Sequence, residues 1–385
     1  MEKRLLLDVA VFVDGELYFT AMNTHCLYRR ERKTGKICAV AAIATQGIMA
    51  KRFAGMFYYN NSIWMVPWDE SYFWVYDLKI NKVKRFDIPQ KVRKSEGGSV
   101  FRRAEVVNQY IWLIPNCSDC LMRVDMESET FELFSEWPEG IKIDCNKSNF
   151  RNMSYDRKSD CLSLFRDACS NNIILDVQSG KMSKLKLQCN GEFAAMHNKR
   201  IVISPIKTGD TVRIYMLNSD FDTLLEKEIE LPDEIWSEEE IYAYWHVEYI
   251  ENKWIILPHE AKKILILDDK TLQIDYVEVP QVAQNAIRTD KGYAGFRALK
   301  QDNEIWVFPY RGGSIIVLDA SNNIKEIIEL KINEADEIDE LEGFLKTICC
   351  SEERTLWANE DFNDRLPRKN TIGKSIFNAC CLDKH

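Results

Sequence analysis

Asn61-Ser-Ile-Trp-Met-Val-Pro67 decides how this chain is read, because its shape returns along the whole sequence. It reappears as Asn108-Gln-Tyr-Ile-Trp-Leu-Ile-Pro115 and, with variation, at 198–205, 252–258 and 303–309. Each copy is a polar turn, a short apolar or aromatic run, and then proline, which cannot donate to a ladder and stops the strand. Anchoring the copies on an early apolar residue gives Leu17, Ile63, Ile111, Leu162, Ile201, Ile255, Ile305 and Leu356. Short strands recurring at a period of about 48 residues are the pattern of propeller blades, each a four-stranded antiparallel sheet.

The second copy reads as one whole blade. An inner strand at 55–59 is followed by the Asn60-Asn61 turn, a second strand at 63–66, a third at 72–76 and an outer strand at 82–88. An acidic residue closes the third strand in copy after copy: Asp77, Asp125, Asp176, Asp268 and Asp319, with Asn218 in the fifth. A side chain of this type accepts hydrogen bonds from its own turn, so the series is read as a hairpin device and not as catalytic carboxylates.

Eight copies predict an all-β, eight-bladed propeller filling residues 1–385 as a single domain. Seven blades stays open as a count, because the fourth copy, Cys161–Arg166, lacks both tryptophan and proline and its neighbours are unevenly spaced. The last copy offers strands at 345–350, 355–358 and 375–382 but no outer strand. Residues 3–7 are expected to supply it, pairing the two termini and removing the unpaired edges of an open array.

Composition bounds the function. The formal net charge of −9 argues against a global field for nucleic acid or acidic membranes. The N-terminus lacks the apolar core and small-residue cleavage site of a signal peptide, and no run approaches membrane-spanning length. A cytoplasmic, monomeric protein is expected. Its twelve cysteines, several in apolar strand patterns (Cys38, Cys161, Cys349), are then reduced thiols. The single CxxC, Cys117–Cys120, has no second pair, and neither a metal nor a cofactor is expected. Two acidic insertions, 232–242 and 333–341, read as short solvated helices on blade connections.

The repeated polar turn, Ile-Trp and proline, followed by aspartate and a Lys- or Gly-containing turn, resembles the bacterial repeat propellers grouped with kelch-like and virginiamycin B lyase-like proteins. The resemblance spans nearly the whole chain and implies the fold. The second strands lack the paired glycines of kelch blades, and no ordered His and Glu set carries over lyase catalysis, so activity is left to the loops.

Loops entering the inner strands share an aromatic followed by a variable residue. They place Arg102, Arg103, Arg151 and Arg297, with His246, at quasi-equivalent positions, where they are expected to form a cationic ring at the channel mouth. The planar guanidinium fork suits carboxylate or phosphate, so an anionic small molecule, a saccharide or a protein partner is the expected ligand. A rim of Trp68, His259, Tyr310 and Arg311 follows the strand-ending prolines. The leading expectation is therefore a binding propeller. The alternative is a lyase or hydrolase acting on an anionic or sugar-containing substrate, with His246 or His259 and a carboxylate such as Asp69 or Glu260 as acid and base.

Overall fold

The structure, a computed structural model, describes residues 2–24, 26–43, 53–68, 72–89, 92, 100–115, 119–144, 149–166, 171–187, 194–208, 211–218, 223–230, 244–259, 261–283, 295–309 and 312–333. Among them the fold is a β-propeller of seven four-stranded antiparallel blades. The expected eighth copy, around Leu356, and both acidic insertions beyond Asn333 and at 232–242 lie outside the described residues. The chain divides into two compact units: residues up to Ile88 together with those from Leu330, and Pro89–Glu329.

The first unit holds two blades. Blade 1 is β2 (Leu7–Val13), β3 (Glu16–Ala21), β4 (Cys26–Arg30) and β5 (Ile37–Ala42), with β1 (Glu2–Arg4) ahead of it. Blade 2 is β6 (Phe53–Tyr59), β7 (Ser62–Pro67), β8 (Tyr72–Asp77) and β9 (Lys82–Asp87). The buried Asp8 carboxylate accepts from the Phe53 backbone N–H at 3.2 Å, tying the two inner strands together. In the same unit β30 (Lys331–Asn333) pairs antiparallel with β1, Glu2 opposite Asn333 and Arg4 opposite Lys331. The N-terminal strand thus finds a partner near the far end of the sequence, as expected in kind but not in place. The partner directly follows the seventh blade, and Leu7 belongs to blade 1.

The second unit holds five blades. Blade 3 is β10 (Phe101–Val107), β11 (Tyr110–Pro115), β12 (Leu121–Asp125) and β13 (Thr130–Phe134); blade 4 is β14 (Phe150–Asp156), β15 (Cys161–Arg166), β16 (Asn171–Asp176) and β17 (Met182–Lys186). Blade 5 is β18 (Ala195–His197), β19 (Arg200–Thr208), β20 (Thr211–Leu217) and β21 (Thr223–Glu230). Blade 6 is β22 (Tyr244–Ile250), β23 (Lys253–Pro258), β24 (Lys263–Asp268) and β25 (Ile274–Glu278). Blade 7 is β26 (Gly295–Gln301), β27 (Glu304–Pro309), β28 (Ser314–Leu318) and β29 (Ile324–Glu329).

The motif that decided the fold is the second strand of a blade. Pro67, Pro115, Pro258 and Pro309 each end one, opposite Phe53, Phe101, Tyr244 and Gly295. Blade 5 departs: β19 runs past Pro205, which sits where its register with β20 shifts, a place where a missing N–H is tolerated. The turns before the motif are tight. Asn60 and Asn61 stand at φ 43° and 63°, and Glu251 and Asn252 at 50° and 64°, the paired left-handed geometry of a two-residue hairpin whose twist matches its strands. Third-strand aspartates act as turn acceptors throughout. Asp77, Asp125, Asp176, Asp268 and Asp319 each take backbone N–H groups two residues on and again three or four residues on, at 2.7–3.3 Å.

Apolar faces of adjacent blades close on each other. Trp112, Ile114 and Leu121 of blade 3 pack on Met153, Leu162 and Leu164 of blade 4. Val202, Ile214 and Met216 of blade 5 meet Trp254, Ile256 and Leu265 of blade 6, and Ile255, Leu257 and Ile266 meet Ala298, Ile305 and Val307 of blade 7. The tryptophans are therefore packing residues between blades. Each fully buried large side chain removes about 1.5–3 kcal/mol worth of apolar surface from water.

Candidate functional site

Every inner strand of six residues or more carries a register break near its start. Relative to the second strand, β6 slips between Phe53 and Gly55, β10 between Phe101 and Arg103, β14 between Phe150 and Asn152, β22 between Tyr244 and His246, and β26 between Gly295 and Arg297. In blade 1 the break falls between Leu7 and Ala10. One residue is left unpaired at each single-residue bulge, which bends the strand and re-aims its neighbours.

This bulge sorts the predicted arginines into two sets. Arg102 and Arg151 are the extra residues themselves, equivalent to Ala54 and Trp245. Arg103, His246 and Arg297 come just after the bulge, equivalent to Asn152, and pair with Ile114, Leu257 and Phe308 of the second strands. A single ring of Arg102, Arg103, Arg151, His246 and Arg297 does not exist as one register; the sequence cannot show which of two adjacent residues is the inserted one.

Within the second unit, the residues after the bulge come together. Arg103 Nε donates to Asn152 Oδ1 at 2.9 Å, and the Arg103 guanidinium also contacts His246 Nδ1. Arginine carries no acceptor, so His246 Nδ1 accepts, and the neutral tautomer with its proton on Nε2 is the one that fits. Asn152 passes the connection on by donating to the Ala194 carbonyl at 2.8 Å.

Side chains two residues further along a strand point the same way, about 7 Å deeper. There the inner strands present Glu105, Ser154, Glu248 and Leu299. A layer of donors, Arg103, Asn152 and Arg297, thus sits one step above a layer holding two carboxylates. The layers interlock where Arg297 Nε lies 3.9 Å from Glu248 Oε1, both side chains 22% exposed.

Protein surrounds these charges on several sides, and that dominates their chemistry. Burial pushes the Glu105 carboxyl up to about 7, with Arg297 and Arg103 pulling it back and Glu248 pushing further. Burial also raises Glu248, against the pull of both arginines. The Arg103 guanidinium is drawn downward by burial and supported by Glu248 and Glu105. Two guanidiniums face two carboxyls, so the cluster is balanced when all four are charged, and Glu105, near 7, is poised between carboxylate and acid at neutral pH. The two glutamates were invisible as site residues in the sequence, where each reads as one more polar residue in an alternating strand.

The rim residues separate. His259 is 6% exposed and stacks on Trp245, the bulge residue of its own blade, with ring centroids 3.4 Å apart and planes 8° from parallel. It covers the end of blade 6 and does not project from it. Trp68, half-buried in the first unit, directly follows β7. Tyr310 and Arg311 lie outside the described residues, as do Asp69 and Glu260, the carboxylates of the enzyme alternative. Its two histidines are engaged by Arg103 and Trp245.

At the opposite ends of the inner strands a second polar assembly joins blades 4, 5 and 6. Asp269 accepts from Trp254 Nε1 at 2.9 Å, from Arg200 at 3.0 Å and from the Tyr249 hydroxyl at 3.2 Å. Asp156 accepts the backbone N–H groups of Asn198 and Lys199 at 2.8 and 3.1 Å. His197 stacks on Tyr249, and burial brings its pKa down to about 4, keeping it neutral. Every member is spoken for, which marks a structural clamp. Among the described residues no group of three or more His, Cys, Asp or Glu could hold a metal ion. Nor is any helix there long and apolar enough to cross a membrane.

No family model and no curated protein matches this chain. Among solved structures it is similar to YCF48 bound to a D1 peptide, with a TM-score of 0.53 at 11% identity over 82% of this chain and 95% of that one. It is also similar to PorZ, a bacterial surface component of the type-IX secretion system of Porphyromonas gingivalis, with a TM-score of 0.52 at 11% identity over 87% of this chain but 39% of that one. The computationally designed Ika8 protein gives a TM-score of 0.50 at 9% identity, covering 85% and 87%. Likeness at these identities concerns the fold, a β-propeller, which commonly serves to bind ligands or proteins.

Proposed function

We propose that this propeller is a binding module whose ligand, a small molecule or a protein segment, presents an anionic group to the inner-strand donor layer of the second unit. The observation that carries the reading is that three separate strands bring Arg103, Asn152 and Arg297 to one register with His246 among them. A guanidinium carries five N–H donors in a planar fork that matches an oxyanion, and a partly desolvated setting strengthens each contact. Arg102 and Arg151, on the bulges, serve as the outer steering charges. Trp68, half-buried just after β7, is a candidate contact in the first unit. The peptide complex of YCF48, a protein of similar fold, supports binding as a use of this architecture. The proposed setting is a monomeric protein of the cytoplasm, where Cys26, Cys38, Cys120 and Cys161 stay as the free thiols they are here.

The test is isothermal titration calorimetry with sulfate and with an acidic peptide, against wild type and an Arg103→Gln/Arg297→Gln double variant checked for folding by circular dichroism. Wild type is expected to bind sulfate, and the double variant to lose it. Binding of the acidic peptide alone assigns the ligand to a protein partner. Unchanged affinity in a folded double variant sinks the reading.

A further inference from the structure

The donor layer is not a bare cationic ring, because the carboxylates one step deeper already compensate its guanidiniums. Adding an anion to a nearly balanced, partly desolvated cluster leaves a surplus negative charge there, which is costly unless a counter-charge comes with it. A proton is the available counter-charge, and a carboxylate on the same strand face as Arg103 is the group placed to take it. We propose that the inner cluster takes up an oxyanion together with one proton, the anion lodging on Arg103 and Arg297 while Glu105 becomes a carboxylic acid. The inference rests on the anion-site reading above and names the regulation of that site.

The proton balance closes within the cluster. Solvent supplies the proton, the Glu105 carboxylate receives it, and no bond of the ligand is made or broken. The charged groups acting on Glu105 are Arg103 on its own strand, Glu248 from β22 and Arg297 from β26, and His246 of β22 touches Arg103 beside it. Strand β14 contributes the neutral Asn152 and Ser154, with Arg151 at its bulge, and Trp112 of β11 lies opposite Glu105 in the ladder. Glu105 already sits near the midpoint of its titration at neutral pH. Losing the stabilising pull of two guanidiniums to a bound anion shifts it further towards the acid. Glu248 is held by Arg297 at 3.9 Å and is the less available acceptor. His246 accepts from Arg103, so protonating it works against the contact it makes.

Linkage sets the size of the effect. With Glu105 titrating near 7 in the unliganded protein and held as the acid in the complex, the apparent Kd is expected to rise about tenfold between about pH 6 and about pH 8. Sulfate is the probe, since its own charge does not change over this range. Calorimetry in buffers of different ionisation enthalpy is expected to show uptake approaching one proton per sulfate at the alkaline end. Glu105→Gln, a permanent stand-in for the acid, is expected to bind sulfate at the alkaline end more tightly than wild type, with the pH slope flattened. A His246→Asn variant is expected to keep the slope. Sulfate binding with no proton uptake, or with the same slope in wild type and Glu105→Gln, overturns the proton coupling and leaves the anion site standing. No sulfate binding by wild type at any pH overturns the proton coupling, and it overturns the anion site as well when the acidic peptide also fails to bind.

Discussion

Replacing one tryptophan of the recurring second-strand motif by phenylalanine is expected to be nearly harmless in blade 3 and severe in blade 6. Trp112 is fully buried, packs on Met153, Leu162 and Leu164 of blade 4, and lies 5.1 Å from the Phe134 ring. Its indole N–H, however, finds no acceptor among the described residues. Trp112→Ala removes the whole ring, a loss of about 3–5 kcal/mol. Trp112→Phe gives up the packing of a few heavy atoms, about 2 kcal/mol. It also removes a buried donor whose lack of a partner costs about 1–3 kcal/mol, so the net change stays within about 1 kcal/mol. Trp254 is equally buried but donates to the Asp269 carboxylate at 2.9 Å. Trp254→Phe therefore adds the loss of a bond to a charged acceptor, about 1.5–3 kcal/mol, to the same packing loss. Arg200 and Tyr249 keep Asp269 partly satisfied and hold the total below about 5 kcal/mol. Urea midpoints followed by far-ultraviolet circular dichroism, which does not depend on the tryptophan signal, measure the difference. Equal destabilisation by the two phenylalanine variants would refute the assignment of one tryptophan to packing alone and the other to packing with a polar anchor.

Two further outcomes concern the turns. Backbone N–H groups hold the Asp176 and Asp268 carboxyls below the usual carboxylate range. Their stabilising share is therefore present above the unfolded pKa of about 3.9 and is lost as pH falls through the lower folded value. Asp268→Ala is expected to lower the urea midpoint at neutral pH and to reduce the acid sensitivity of unfolding; unchanged acid sensitivity in the variant would count against the turn-acceptor role. Asn61 stands at φ 63°, so Asn61→Gly is expected to be tolerated and Asn61→Val to cost about 1–2 kcal/mol, read from thermal midpoints.

Motifs that satisfy a local requirement were legible: proline at a strand end, paired residues of left-handed conformation in a two-residue turn, aspartate accepting from its own hairpin. Seven of the anchors, Leu17 through Ile305, fall on second strands. What was not legible depends on non-local placement. The bulge after Phe101 decides whether Arg102 or Arg103 faces its neighbours, and adjacent residues in a strand look alike until the ladder is drawn. Glu105 and Glu248 carry no motif, and only the convergence of several inner strands turns them from surface-like residues into partners of buried arginines. The blade count of eight came from treating the period as uniform to the C-terminus, whereas seven blades are complete by Glu329.

The pairing of Glu2–Arg4 with Lys331–Asn333 also sets an order of events during synthesis. Each blade is built from hairpins between neighbours in sequence, which form within microseconds once their strands have left the ribosome. The terminal pairing joins residues more than three hundred positions apart, so its nascent N-terminal half must wait while nearly all of the blades are translated. Three ladder positions repay that delay with few contacts of their own. The nascent chain consequently spends most of its synthesis with a short basic strand available to pair elsewhere. Emergence of Lys331–Asn333, and not the formation of any single blade, is the moment at which this pairing becomes possible.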